Sequence, residues 1–164
     1  MSELTEYFAM LDRVSRVVDT LPRRAAMEAV NFTKDRFKQQ NWLDNTTQPW
    51  KKRKAVKGET KRSSRRSTLV KSGRLRKSPR VIHADHNSAI MGTDVEYAQV
   101  HNDGFRGRVN QRVRSHIRNG KKVKSFKRTL NMNIPQRQFI GDSAVQDARI
   151  QRMMTVEITK AIKS

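Results

Sequence analysis

The sequence predicts an α+β fold: an N-terminal helical pair, a small antiparallel β-sheet with a projecting basic β-hairpin, and a C-terminal helix. Three observations lead there. Apolar residues recur at helical spacing at both ends of the chain. The middle alternates polar and apolar residues at strand spacing, with turn signals between. The charge, +21 over 164 residues, is gathered into two windows. Residues 45–80 hold 14 Lys/Arg against one acid, Glu59, and residues 104–128 hold 10 against none, leaving the rest at −2. This describes a single near-neutral domain over 1–164 with a basic mobile loop at about 45–78 and a basic hairpin arm at about 106–130.

Composition also excludes. The chain has no cysteine, so it has neither a disulfide framework nor a thiolate metal site. The longest apolar run is the five residues Tyr7–Leu11, far short of a membrane span, and no membrane partner is expected. Glu3 and Glu6 stand where an export signal would be cationic, so no leader is expected. Leu, Ile, Val and Phe number 35, only 10 of them in the two basic windows, so the remainder can still build a small core.

Ser2 is placed to cap the first helix, with Leu4, Phe8, Leu11 and Val18 on its inner side. Asp19-Thr20-Leu21-Pro22 breaks and restarts it, since proline is accepted in a first turn. The second helix runs to about Gln40 and buries Ala26, Ala29, Val30 and Phe37. From Asn45 to Lys77 basic, Ser and Thr residues dominate, which reads as a long loop with a short helix near Ser67–Ser72. Arg80–Ala84 and Ala89–Thr93 read as paired strands around Asp85-His86-Asn87-Ser88. Thr93 and Glu96 have capping-box spacing for a short helix that Gly104 ends in a left-handed conformation.

In the second window Val109, Gln111, Val113, Ser115 and Ile117 alternate with Asn110, Arg112, Arg114, His116 and Arg118. Asn119-Gly120 follows, a strong hairpin signal because both residues accept positive φ, and Lys121–Leu130 returns. Such an isolated hairpin is marginal in water and is expected to order fully only against a partner. Ile134–Gly141 is an extended link. Ser143 and Gln146 cap a last helix, about 143–162, that buries Ile150, Met154, Ile158 and Ala161.

No catalytic constellation is visible: neither a phosphate-cradling glycine loop nor a nucleophile elbow. His83 and His86 flank a turn without a third ligand, so no metal and no cofactor is expected. His101 is expected to make a helix-end hydrogen bond, and Asp142-Ser143 to be a cap. A nuclease would need clustered carboxylates, for which Asp85, Asp94, Glu96 and Asp103 are the only local group. The cationic windows are the stronger signal. Lys51, Lys52, Arg53, Lys54, Lys61, Arg62, Arg65 and Arg66 in the loop, and Arg112, Arg114, Arg118, Lys121, Lys122 and Lys124 in the hairpin, are candidates to meet DNA or an acidic partner. Only Trp50, Phe105 and Phe126 are aromatic there, which favours backbone contact over base stacking.

The order of motifs resembles the tailed-phage virion morphogenesis and tail-completion (neck) family, which includes the Mu-type morphogenesis proteins. The resemblance covers about residues 25–162. It rests on Trp50 before a basic stretch, Leu69-Val70-Lys71-Ser72-Gly73-Arg74-Leu75, Met91-Gly92-Thr93, Tyr97-Ala98-Gln99-Val100-His101-Asn102-Asp103-Gly104 and Ile134-Pro135-Gln136-Arg137-Gln138-Phe139-Ile140-Gly141. The family elements map onto Leu69, Gly73 and Leu75, onto Tyr97, His101 and Gly104, and onto Pro135, Arg137 and Phe139. Gly73 and Gly104 would permit sharp turns, Pro135 would fix an extended approach, and Phe139 would anchor it. Arg137 would pair with an acid on a neighbour or stay solvated.

The resemblance implies a structural, non-enzymatic role at the head-proximal end of the tail. Copies would form a homo-oligomeric ring, expected to be a hexamer, around the DNA channel. Its partners would be the tail tube or tail terminator, neck and connector proteins, and packaged DNA; its location would be the virion, with host cytoplasm during assembly. The basic hairpin is longer than the simple loop of the family, and it would meet DNA, a neighbouring subunit or another neck protein. The alternative is a nucleic-acid-binding protein that uses the two basic arms without sequence choice.

Overall fold

A computed structural model describes residues 3–54, 58, 60, 63 and 65–163. Helix α1 (Glu3–Gln39) leads into β1 (Asn41–Leu43) and β2 (Thr47–Pro49). Short α2 (Arg74–Lys77) precedes β3 (Arg80–Ala84), β4 (Ala89–Gly92) and α3 (Ala98–Asp103). Strands β5 (Phe105–Val113), β6 (His116–Arg118), β7 (Lys121–Val123) and β8 (Phe126–Ile134) follow, and α4 (Ala144–Lys163) closes the chain. The fold class is α+β. Among the described residues the strands form four two-stranded antiparallel sheets, β1–β2, β3–β4, β5–β8 and β6–β7.

The expected helical pair is one helix of 37 residues, about 55 Å long, with Pro22 inside it. A proline in a helix interior costs about 3 kcal/mol. Here α4 packs along α1 on both sides of the proline, and the helix is continuous through it. Arg24 Nη1 meets Glu157 Oε2 at 2.5 Å just after Pro22, and Arg13 Nε donates to the Ala161 carbonyl before it. The second half buries Ala26, Ala29, Val30 and Phe37 as its periodicity predicts. The first half does not bury its stripe: Leu4, Phe8, Leu11 and Val18 are all exposed. The cap expected at Ser2 lies outside the described residues.

Sequence reading ran the loop from Asn45, but β1 and β2 already pair there, with Trp42 opposite Gln48. Polar Thr47-Gln48-Pro49 carries no apolar alternation, so no strand signal was available. Gln40 turns the chain at a φ of 57°, where glycine is usual. Its side chain supports the turn: Nε2 donates to the Phe37 and Thr68 carbonyls, and Oε1 accepts from the Thr68 amide at 2.6 Å. The short helix expected near Ser67–Ser72 lies one turn later, at Arg74–Lys77, after Gly73 (φ 76°).

The core gathers residues from most of the chain: Phe37, Trp50, Leu75, Val95, Ala98 and Phe139, flanked by Leu69, Val70 and Ile140. Phe37 is the hub, with ring centroids 5.3 Å from Trp50 and 4.9 Å from Phe139. Trp50 Nε1 donates to the Gln138 carbonyl at 2.8 Å, so its polar end is satisfied. A satellite cluster stacks Phe32 edge-on against Trp42, with the buried Arg36 guanidinium 4.5 Å over the Phe32 ring. Burial, reinforced by Arg149, lowers the pKa of Arg36, and Nη1 donates to Asn41 Oδ1 at 2.9 Å.

Around the core the short elements obey local chemistry. Asp85 Oδ1 accepts from the amides of Asn87 and Ser88, closing the β3–β4 turn and holding that carboxyl well below the usual range. Thr93 does not complete a capping box. Its Oγ1 accepts from Val95 N instead, and α3 starts at Ala98 without a side-chain cap. Ser143 does cap α4, accepting from Gln146 N at 3.2 Å while donating to the Leu43 carbonyl at 2.8 Å. Of the expected inner residues of α4, Ala161 is buried and Ile150, Met154 and Ile158 are half-buried.

Two substitutions test this account by chemical denaturation. Phe139→Ala removes a ring with no solvent exposure and is expected to cost about 3–5 kcal/mol. Gly104 has a φ of 79°, and a Cβ there would lie 2.9 Å from the Gln136 amide nitrogen, so Gly104→Ala should cost more than about 1 kcal/mol.

Candidate functional site

The candidate site has two cationic parts, the arm and a cleft beside the core. The arm begins where Gly104 ends α3. Strands β5 and β8 pair residue for residue from Phe105↔Ile134 to Val113↔Phe126, and β6 and β7 continue the excursion beyond them. Asn119 and Gly120, at φ 50° and 74°, make the two-residue turn at the tip. The paired region thus runs from 105 to 134, longer than the expected 106–130, because Phe105, Met132 and Ile134 extend the alternation into the body.

Strand alternation sorts the side chains of β5 and β8 onto two faces. On one face Arg106, Arg108 and Arg112 lie opposite Asn133, Asn131 and Lys127. On the other, Val109 faces Leu130, Gly107 faces Met132 and Val113 faces Phe126. The Phe105 ring lies over Gly107, where a Cβ would meet it at 3.0 Å. Arg128, on the apolar face, is held by two bonds to Gln111 Oε1 at 2.8 and 2.6 Å. Residues 104–141 contain no Asp or Glu, so the arm has no counter-charge of its own.

The predicted hairpin residues Arg112, Arg114, Arg118, Lys121, Lys122 and Lys124 are all exposed. Arg106, Arg108 and Lys127 were missing from the prediction. The period-2 pattern, carried back to Phe105, would have found them.

The second part is an open cleft of about 530 Å³, whose lining includes Arg53, Arg66, Lys71, Leu69, Tyr97 and His101. It joins the basic loop to two of the family-like elements. Lys51, Lys52, Lys54 and Arg65 are exposed, whereas Arg53 is half-buried and its guanidinium donates to the Ser63 carbonyl. Arg66 also reaches Ser63, with Nε 3.4 Å from its carbonyl oxygen. Lys61 and Arg62 lie outside the described residues.

The family-like positions are mostly interior. Gly73, Leu75, Arg137 and Phe139 are buried, Leu69, Gly104 and Pro135 are half-buried, and only Tyr97 is exposed. Arg137 is buried rather than solvated: Nε donates to the Lys51 carbonyl at 2.9 Å, no acid pairs with it among the described residues, and burial lowers its pKa. Asn102 supplies a link that sequence reading missed. Its Oδ1 accepts from the amides of both Phe139 and Ile140 at 2.9 Å, fixing the last link to α3. Its place inside the Tyr97–Gly104 element was the available signal.

His101 departs from expectation. Its ring stands edge-on to Tyr97 at 5.9 Å, and its buried Nδ1 has no hydrogen-bond partner among the described residues. Desolvation, with Arg137 nearby, pulls its pKa below the ordinary 6.5. His83 Nε2 lies 3.1 Å from Asp85, within the turn. Three of the four acids that a nuclease would need have local roles: Asp85 closes a turn, Asp94 pairs with Arg80 at 3.2 Å, and Asp103 accepts from Asn102. Among the described residues no three His, Asp or Glu groups are placed to hold a metal, and no helix is long and apolar enough to cross a membrane.

Fold and surface together define a small α+β protein whose distinctive groups sit on a cationic arm and a basic cleft. The profile of the phage virion morphogenesis family matches residues 1–159, and the chain belongs to that family. Its role is therefore that of a phage structural and assembly protein, located in the virion. No curated protein and no solved structure matches the chain.

The His101 environment makes a pH prediction. The unfolded chain binds this proton more readily than the folded one, so the contribution is complete above about pH 6.5 and is lost as pH falls through the lowered folded value. Urea midpoints measured from pH 7.5 to 5 should therefore fall toward acid, and His101→Gln should flatten that slope.

Proposed function

We propose that the protein completes the tail at its head-proximal end, joining tail to filled head as a homo-oligomeric ring around the DNA channel. The observation that carries this reading is the arm. It holds 10 Lys/Arg between residues 104 and 128 with no acid, and its strands pack chiefly on each other. An arm so charged repels itself and finds little support in its own body. Copies arranged around a channel would bring it to neighbouring subunits, tail or connector proteins, or the packaged polyanion. Family membership supports the assembly role, and the dispersed acids fit a structural rather than an enzymatic one.

The cationic loop and arm would hold duplex backbone without sequence choice, since Arg106, Arg108 and Arg112 share one face. Particles made without this protein should accumulate as filled heads and separate finished tails by electron microscopy. Normal joined virions would refute the reading. The alternative, a free nucleic-acid-binding protein, rests on the same face and predicts tight duplex binding by the isolated chain, with a log–log salt slope of about −0.9 for each phosphate neutralised. Under the ring reading, Arg106→Glu/Arg108→Glu/Arg112→Glu should lower joined particles at least tenfold by plaque titre.

A further inference from the structure

Two apolar surfaces, one exposed and one largely half-buried, have no packing partner large enough to cover them, and they carry opposite charge. The first is the amino-terminal end of α1. Leu4, Tyr7, Phe8 and Leu11 are between 42% and 63% exposed, although their spacing is that of a buried stripe. Residues 3–12 hold Glu3, Glu6 and Asp12 and no Lys or Arg. The second is the apolar face of the β5–β8 ribbon, formed by Val109, Val113, Phe126, Leu130 and Met132. Phe126 is 43% exposed there, and the ribbon around it is cationic.

We propose that the acidic, apolar end of α1 in one copy docks on the apolar face of the β5–β8 ribbon in the next copy. This deepens the ring reading by naming its subunit contact. Charge selects the pairing. Two arms brought face to face would set 10 positive charges against 10 with no acid between them, and two helix ends would set acids against acids. Only the mixed pairing brings opposite charges together while covering both apolar surfaces. Duplex DNA would engage the Arg106–Arg108–Arg112 side and leave the apolar side bare.

The two surfaces do not satisfy each other within one copy. There α1 packs on α4, β1, α2 and the β3–β4 pair, while β5 and β8 pack chiefly on each other. The contact joins different patches on the two copies, so it is head-to-tail, and repetition with rotation closes a ring. The arm's Arg face remains free for the channel or a neck partner.

The unaltered 164-residue chain is compared with two variants by light scattering at low micromolar concentration, each first checked for native circular dichroism. Leu4→Asp/Phe8→Asp alters only the helix end, and Phe126→Ser/Leu130→Ser only the ribbon. The unaltered chain should form closed oligomers that weaken at least tenfold between 50 and 300 mM salt, an order set by surface screening. Each variant alone should run as the 19.1 kDa monomer. Mixed, they should give one-to-one dimers and nothing larger, because one intact helix end and one intact ribbon remain to meet.

Glu3→Lys/Glu6→Lys/Asp12→Lys, which leaves both apolar surfaces unchanged, should also be monomeric. A monomeric unaltered chain, oligomers that survive in the variants, or a mixture that stays monomeric would overturn the docking contact. Assembly that appears only with added duplex, and equally in the helix variant, would overturn it too. Failure here leaves the tail-joining reading to be judged on particles, where unjoined heads and tails are counted without reference to this contact.

Discussion

The body of this protein depends on one aromatic contact, the meeting of Phe37 with Trp50 and Phe139. These residues come from the end of α1, from the threshold of the basic loop and from the link before α4. Each segment is poor in apolar residues, and each would be held weakly by its own neighbours. Bringing the three rings together buries three large side chains and draws Leu75, Val95 and Ala98 in around them. Polar bonds then lock the segments: Trp50 to Gln138, Arg137 to Lys51, Asn102 to Phe139 and Ile140. Of the family-like positions, Leu75, Arg137 and Phe139 are part of this lock.

With so compact a centre, the charge has to live elsewhere. The basic loop leaves the core directly after Trp50 and returns at Leu69, tied at that end by Gln40 to Thr68. The arm leaves at Gly104 and returns at Pro135. Both excursions therefore start and finish at fixed points, while most of their described cations face solvent. A chain of +21 can fold because its packed residues and its charged residues occupy different stretches of sequence. Under the proposed assembly that separation would also be useful, since repulsion within the arm would be relieved by neighbours of opposite sign.

Much of this was legible beforehand, and the exceptions have physical causes. The hairpin turn at Asn119-Gly120, the β3–β4 pair and the Ser143 cap follow local rules, and they could be read directly. The β1–β2 pair could not be, because Thr47-Gln48-Pro49 is polar and exposed throughout and carries no alternation of its own. Pro22 suggested a break, yet packing of α4 along α1 outweighed the local penalty. The stripe at Leu4, Phe8 and Leu11 was read as interior; periodicity reports that a face is apolar and says nothing about which molecule covers it. For the site, composition located both cationic windows. Strand register was needed to sort the arm's side chains onto two faces, and Asn102 had no composition signal at all.

The length of α1 has a mechanical side. Leu4 and Pro22 are eighteen positions apart, a lever of about 27 Å at 1.5 Å per residue. Pro22 lacks an amide hydrogen, and proline is where long helices bend. A tilt of about 10° there would swing the far end by about 5 Å, roughly the pitch of one helical turn. Under the proposed ring, a small adjustment beside Arg24 and Glu157 would thus become a large displacement at the tip, where each copy would meet the next.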